Sequence, residues 1–104
     1  MWAVVVLYNT PTDPAAFEKY YAGTHLPLLE KHTKEIGISR SVFEKFESAL
    51  DGSAPAFYRK AELWFDSREA LDRGMATAGF GAVAGDIPKF ASGGVVGLIA
   101  NVAS

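Results

Sequence analysis

The apolar run Trp2 to Tyr8, WAVVVLY, constrains the fold of this chain most strongly. It is far shorter than the roughly 20 apolar residues of a membrane-spanning helix, and its valines favour a strand. A strand with one solvated face alternates apolar and polar residues, and this run does not alternate. The sequence therefore predicts a central strand covered on both faces. The turn-forming residues that follow it, Asn9 to Pro14, are expected to end it.

The segment after this strand predicts one helix in two halves. Asp13 is expected to cap the first half, and Gly23 near the middle is expected to kink or restart the helix. In this interpretation Thr24 caps the second half, Pro27 lies in its tolerant first turn, and Gly37 ends it.

The rest of the chain predicts two more strands, further helical segments and a last strand. Residues 38–46 and 57–65 have the pattern of strands, and the charges of the first indicate an edge. Asp66 and Glu69 resemble a capping box at the start of a short helix. A second short helix is predicted over residues 80–87, stopped by Pro88. After the Gly93-Gly94 turn, residues 95–102 form the predicted last strand.

The resulting order of strand, helix, strand, strand, helix, strand is the split βαβ pattern of a ferredoxin-like α+β fold. We expect one domain over residues 1–104, with a four-stranded antiparallel sheet and both helices on one face. The other face then carries Tyr58 and Trp64, or Phe57 and Phe65, depending on the side that the helices take. Because the chain is 49% hydrophobic, this face is predicted to pack against a second copy in a homodimer.

Composition excludes several classes of function. The net charge is −2 and the signs are mixed along the chain, so no basic patch is available for nucleic acid. The absence of cysteine excludes disulfides, thiolate catalysis and cysteine-based metal sites. The N-terminus lacks the positive region of a signal peptide. We expect a soluble, cytoplasmic protein that binds neither nucleic acid nor a membrane.

The chemistry is concentrated between residues 17 and 32, FEKYYAGTHLPLLEKH, which contain both histidines of the chain. Tyr21, His25, Leu28 and His32 share one helical face, which is predicted to point inward. Two interpretations of such a histidine stay open. It is a core residue with a hydrogen-bond partner, or it is an acid/base group, since histidine titrates near neutral pH.

No metal and no cofactor are predicted. Two histidines seven residues apart, with no acidic residue on their stripe, make a poor metal site, because the usual helical pair is i, i+4 with a further ligand. The glycines Gly79, Gly81, Gly93 and Gly94 lack the strand-to-helix setting of a dinucleotide site.

Three segments, which follow one another in the family's order, together resemble the EthD family. They are Phe17-x-x-Tyr20-Tyr21-x-x-x-His25-x-Pro27-Leu28, the stretch Leu63-Trp64-Phe65-Asp66-Ser67-Arg68-Glu69-Ala70-Leu71, and Asp86-Ile87-Pro88-Lys89-Phe90 before an apolar strand. EthD is named from a gene cluster for ethyl tert-butyl ether degradation and belongs to the dimeric α+β barrel superfamily. The resemblance implies a ferredoxin-like protomer whose sheet packs on a partner's sheet, with an apolar pocket between each sheet and its helices. It does not settle the activity, since related barrels include isomerases, cofactor-free monooxygenases and polyketide cyclases.

The resemblance makes His25 the candidate acid/base group, acting on an organic acid, lactone or phenol. Tyr21 is the second catalytic candidate, able to orient the imidazole or donate to a substrate oxygen; in the alternative its ring packs and its hydroxyl meets water. Tyr8, His32 and Trp64 are candidate ligand-binding residues, with core packing as the alternative for Tyr8 and Trp64 and an exposed position for His32.

Two classes of function remain. The first is a cofactor-free enzyme that acts on a small, mostly apolar, oxygen-bearing metabolite in a catabolic or oxidative pathway, as an isomerase, a lyase or an oxidative step. The second is a non-catalytic small-molecule-binding or accessory protein of an oxidation system. Asp86 is expected to be a helix-end or turn residue, with an acid catalyst as the alternative. His25 is then a single ionisable group without an evident partner, which favours neither class.

Overall fold

The computed structural model describes residues 1–102, and strand β1 (Trp2–Tyr8) lies inside its sheet. The other strands are β2 (Arg40–Lys45), β3 (Arg59–Phe65) and β4 (Val95–Asn101). Their order is β2-β3-β1-β4 with every pair antiparallel, so β2 and β4 are the edges. This confirms the predicted central strand, the predicted charged edge and the ferredoxin-like α+β fold.

The helices cover one face of this sheet. They are α1 (Pro14–Tyr20), a π-helical turn (Tyr21–His25), α2 (Leu26–Ile36), α3 (Arg68–Met75), α4 (Ala78–Asp86) and a 3-10 turn (Ile87–Lys89). Two groups of buried side chains join them to the sheet. One is mainly aliphatic and consists of Val4, Leu29, Ile36, Leu63, Phe65, Leu71 and Val83; the other consists of Tyr8, Phe17, Tyr21, Ala61 and Phe90. Each large apolar side chain buried in this layer contributes about 1.5–3 kcal/mol, which fixes the helices on this face.

The strand register assigns the aromatic residues of β3 to opposite faces. Val4 lies opposite Leu63, and both side chains belong to the core beneath the helices, as does Phe65 two residues further along. Ala3 lies opposite Trp64, on the face that no helix covers. We call this second face the open face; it includes Ala3, Val5, Leu7, Lys60, Glu62, Trp64, Val96 and Ala100.

A regular strand over residues 57–65 predicts that Tyr58 and Trp64 lie on the same face. In the structure Tyr58 does not share the open face with Trp64. β3 begins only at Arg59, and the Tyr58 ring packs edge-on against Phe17 of α1 with 5.2 Å between ring centroids. Tyr58 precedes the strand, so the alternation of side chains along β3 does not set its direction. Its ring points toward the helices.

The helix from α1 to α2 continues through the π-helical turn, so the prediction of a restart capped by Thr24 is wrong. Pro27 has no N–H, and its ring would clash with a carbonyl four residues earlier in a regular helix. The π-helical turn relieves this clash by widening the helix, and the Leu26 N–H donates to the carbonyl of Tyr21, five residues back. Such turns are frequent at functional sites, and this one contains both Tyr21 and His25.

The remaining helix ends follow their caps. Asp13 caps α1, as predicted, by accepting a hydrogen bond from a first-turn N–H at 3.1 Å. Gly37, with φ of 86°, ends α2, also as predicted. The predicted capping box of Asp66 and Glu69 places the N-cap of α3 one residue too early. Ser67 is the N-cap of α3, because its backbone is extended and its Oγ accepts the N–H of Ala70 at 3.0 Å.

Candidate active site

An apolar cavity of about 40 Å³ lies between the helix-covered face of the sheet and the helices. Most of its wall is aliphatic or aromatic, and three lining side chains can form hydrogen bonds: Tyr8, Tyr21 and His25. One water molecule needs roughly 10–15 Å³ by the same kind of measure. The cavity therefore admits only a small chemical group.

His25 is held in this wall by Asp86. The two atoms Nδ1 of His25 and Oδ2 of Asp86 are 3.0 Å apart, and the residues are only 4% and 5% exposed. The imidazole packs against the ring of Tyr21, stacked at 5.8 Å, and against the ring of Phe90, at 4.5 Å, and these two rings also contact each other. Buried polar side chains need such partners, since an unpaired one is costly to desolvate.

Asp86 occupies a position that helix stability alone does not explain. It is the last residue of α4, and the negative end of a helix dipole disfavours a carboxylate there. Its partners compensate. Besides His25, the hydroxyl of Tyr20 donates to Oδ1 at 2.7 Å, and Nζ of Lys89 lies 3.8 Å from the same oxygen. Both carboxylate oxygens are therefore engaged, and Asp86 is fixed relative to His25.

The protonation states follow from burial and from these bonds. Burial lowers the pKa of His25 below its ordinary value, although the hydrogen bond and the charge of Asp86 oppose that shift. Burial alone would raise the pKa of Asp86, but the hydrogen bonds from His25 and Tyr20 outweigh it and hold the pKa below its ordinary value. At neutral pH the pair is an uncharged imidazole beside an ionised carboxylate.

The hydroxyl of Tyr21 is the second polar group of the cavity. It is buried, and no residue within the described range 1–102 forms a hydrogen bond with it. Burial raises the pKa of Tyr21 to about 12, although the Arg59 guanidinium, 5.0 Å from the ring centre, opposes the shift. The hydroxyl is thus a neutral donor with no acceptor in the protein, a situation that native structures seldom leave without a reason.

The structure brings three of the five predicted site residues together and leaves two elsewhere. Tyr8, Tyr21 and His25 all line the cavity. Trp64 does not, because it lies on the open face of the sheet, where Arg40 covers its ring. His32 does not line the cavity either; its Nδ1 lies 3.1 Å from the carboxylate of Glu35 near the helix surface.

Asp86 is the site residue that sequence reasoning missed. The sequence predicts a helix-end or turn residue, with an acid catalyst as the alternative, but does not identify its carboxylate as the partner of His25. Asp86 does lie at the end of α4, and it forms that pair. The available signal was that Asp86 is the one charged residue in the otherwise uncharged α4 sequence AGFGAVAGD. A lone charge in a short apolar helix must find a partner when it is buried.

The donor set does not resemble a metal centre. Within residues 1–102, no three side chains of His, Cys, Asp or Glu lie close enough together to hold a metal ion. The same part of the chain has no helix with the length and apolar character required to cross a bilayer.

The fold and the site define a ferredoxin-like α+β protein with a buried histidine–aspartate pair at an apolar cavity. The chain belongs to the EthD family: the EthD domain model matches residues 9–94. It is also similar to an uncharacterized 11.0 kDa protein from the thcB-thcC intergenic region of Rhodococcus erythropolis, with 36% identity over 97% of this chain and 94% of that protein.

Solved structures agree with this assignment. An ethyl tert-butyl ether degradation (EthD) family protein from Bacillus halodurans superposes with a TM-score of 0.86 at 29% identity, covering 99% of both chains. A dimeric ferredoxin-like protein of unknown function from Jannaschia sp. CCS1 shares the fold, with a TM-score of 0.72 at 12% identity, over 97% of this chain and 98% of that one.

Proposed function

We propose that this protein is an enzyme that needs no cofactor and moves a proton to or from a small, mostly apolar, oxygen-bearing molecule. The observation that carries the proposal is the bond between His25 and Asp86 at the wall of the cavity. An ionised carboxylate can only accept a hydrogen bond, so Nδ1 of the neutral imidazole carries the proton. Nε2 then has a free lone pair and can act as a general base.

Tyr21 supplies the complementary group. Its buried hydroxyl, which has no acceptor in the described part of the protein, can donate to a carbonyl oxygen of the substrate. With a ketone, the Cα–H bond breaks, the proton goes to Nε2, and the electron pair moves to the oxygen, where the Tyr21 hydroxyl stabilises the enolate. Return of a proton from the imidazolium to carbon completes an isomerisation or an exchange with solvent.

Deuterium exchange into 2-butanone in D2O, followed by proton NMR, tests this function, because the ketone is small enough to probe the cavity. The wild type should accelerate loss of the α-proton signal. His25→Gln should lower that acceleration by about 10²–10⁴-fold, the range of general base catalysis. His32→Gln is the matched control, since it removes the other histidine of the same helix and lies outside the cavity; it should keep the wild-type rate.

Equal exchange by the wild type and His25→Gln would overturn the catalytic role of His25. Binding of the ketone without any exchange, abolished by Tyr21→Phe, would instead favour the second candidate, a non-catalytic protein that binds a small molecule. The unpartnered Tyr21 hydroxyl supports that candidate too, since donation to a ligand oxygen needs no proton transfer.

We further infer that the protein works as a homodimer that joins two open faces. This inference is supported by the half-buried Trp64 and the exposed Val96 on that face of the isolated chain, and by the dimeric state named for the Jannaschia protein of the same fold. Pairing of two such faces would remove apolar surface from water, which is the main driving force of association.

A further inference from the structure

A second apolar space adjoins the cavity on the side of edge strand β4. It is a groove of about 510 Å³ between α4 and the sheet, within the roughly 300–1,000 Å³ that small-molecule sites occupy. Its wall is formed by residues of β1, the helices α3 and α4, the 3-10 turn and β4, among them Val95, Gly97 and Ile99. None of these side chains carries a hydrogen-bonding group, so the groove suits a hydrocarbon surface.

The groove and the cavity are adjacent. Five residues line both: Val4, Val6, Phe80, Ala84 and Ile87. The cavity has three polar side chains, Tyr8, Tyr21 and His25, but room for only a small group; the groove has more room but no polar side chain. A single molecule with one oxygen-bearing end and an apolar body matches the two spaces together.

The charges at the cavity favour a neutral end over an anionic one. The ionised Asp86 lies directly behind His25. Arg59, the cation next to Tyr21, is already engaged by two hydrogen bonds to Glu18. A buried carboxylate or phosphate would therefore meet a like charge, and no cation that lines the cavity within residues 1–102 would offset it. A carbonyl or hydroxyl compound avoids this repulsion.

We propose that the groove along β4 binds the hydrocarbon body of the substrate, whose neutral carbonyl or hydroxyl end lies at Tyr21 and His25; the placement of that end rests on the proposed function. The shared wall of the two spaces and the apolar side chains that line the groove argue for this occupant. Val95 and Ile99, which are 39% and 44% exposed on the helix side of β4, would be covered by the bound molecule.

Gly97 is the residue that keeps the groove open. It lies opposite Val6, between Val95 and Ile99 on the same side of β4. A Cβ added there would meet no atom within 4 Å, so a larger side chain would occupy the groove without disturbing its surroundings. Gly97 thus sets how long a substrate body the site accepts.

The test is a titration of straight-chain 2-ketones from 2-pentanone to 2-undecanone, with affinity measured by calorimetry. Wild-type affinity should rise about two- to four-fold with each added methylene group that the groove buries. In Gly97→Leu the rise should stop at the short ketones. Gly81→Leu is the matched control: Gly81 is an exposed glycine of α4 with no atom within 4 Å of an added Cβ, and its variant should keep the wild-type slope.

Ala84 lines both the groove and the cavity, so Ala84→Leu should act like Gly97→Leu. This second variant keeps the test valid if one of the two misfolds. A wild-type affinity that does not depend on chain length, or a wild-type slope in both blocking variants, would overturn the proposal. A Gly97→Leu variant that changes mainly in its oligomeric state would also overturn the proposal. That result would mean that a second copy of the chain, and not a small molecule, fills the groove. Binding, not turnover, is measured, so a lack of deuterium exchange would count against the catalytic role alone.

Discussion

Nδ1 of His25 and Oδ2 of Asp86 lie 3.0 Å apart, although 61 positions separate the two residues along the chain. The π-helical turn presents the histidine, and the end of α4 presents the carboxylate. Tyr20, adjacent to Tyr21 in the sequence, holds the other carboxylate oxygen. One helix thus supplies the histidine of the buried pair, the Tyr21 hydroxyl at the cavity and the tyrosine that holds Asp86 in place.

Asp86→Asn should lower the pKa of His25 further. Burial already lowers this pKa, and the carboxylate opposes that shift through its hydrogen bond and its charge. An asparagine keeps the size but removes the charge, so the opposing effect is weakened. An NMR titration of the His25 ring protons measures this pKa in the wild type and in the variant. A His25 pKa that rises, or that equals the wild-type value, would contradict this coupling.

Stability should fall as the solution is acidified, and His25 should account for part of the loss. Its folded-state pKa lies below the ordinary 6.5, so the unfolded chain binds more protons below that pH, and stability decreases as pH falls through the folded-state value. Asp86, with its pKa below 3.8, adds a second loss at more acidic pH. Urea unfolding at pH 7.5 and pH 5.0 measures the first loss. The loss of stability between these two pH values should be smaller in His25→Gln than in the wild type or in His32→Gln.

The sequence predicts those features that depend on neighbours along the chain. The valine run marks β1, Asp13 caps α1, and Gly37 ends α2, because strand pattern and helix caps are local. The partner of His25 could not be predicted in this way, since the position of Asp86 depends on how α4 packs against the rest. The face taken by Trp64 also depends on packing, because β3 carries large aromatics on both faces and only the helices decide which is covered.

Val96→Glu should convert the protein to a monomer, whereas Val95→Glu should not. The two neighbouring valines are each 39% exposed in the single chain but point to opposite faces of β4, and only Val96 lies on the open face. A glutamate at an apolar interface must lose its hydration without a partner. Sedimentation velocity distinguishes the two states. A dimer that survives Val96→Glu, or that only Val95→Glu disrupts, would place the interface elsewhere.

Gly74→Ala should destabilise the fold, and Gly81→Ala should not. A Cβ at Gly74 would lie 2.5 Å from the carbonyl oxygen of Ile36 and 2.6 Å from the ring of Phe65. Because both are held by backbone or core packing, α3 must move, at a cost of about 1–3 kcal/mol. Gly81 has no atom within 4 Å of that position, so its alanine variant should gain up to about 1 kcal/mol of helix propensity. Equal free energies of unfolding for the two variants would argue against the close approach of α2 and α3.

Tyr21→Phe should make the protein more stable while it weakens ketone binding. The buried hydroxyl has no hydrogen-bond partner among residues 1–102, and an unsatisfied buried polar group costs about 1–3 kcal/mol. Phenylalanine keeps the packing of the ring against Tyr8 and Phe17 and removes that cost, so unfolding should require about 1 kcal/mol more. The ligand loses its donor at the same time.

Tyr20→Phe is the control, because it removes a hydroxyl that does have a partner. That hydroxyl donates to Asp86, so its loss should lower stability, whereas Tyr21→Phe should raise it. The loss should also raise the pKa of Asp86. Urea unfolding measures the stability of the two variants, and calorimetric titration with 2-butanone measures how strongly each binds the ketone. If Tyr21→Phe is less stable than the wild type and binds the ketone as well, the hydroxyl has a structural role and is not held in reserve for a ligand.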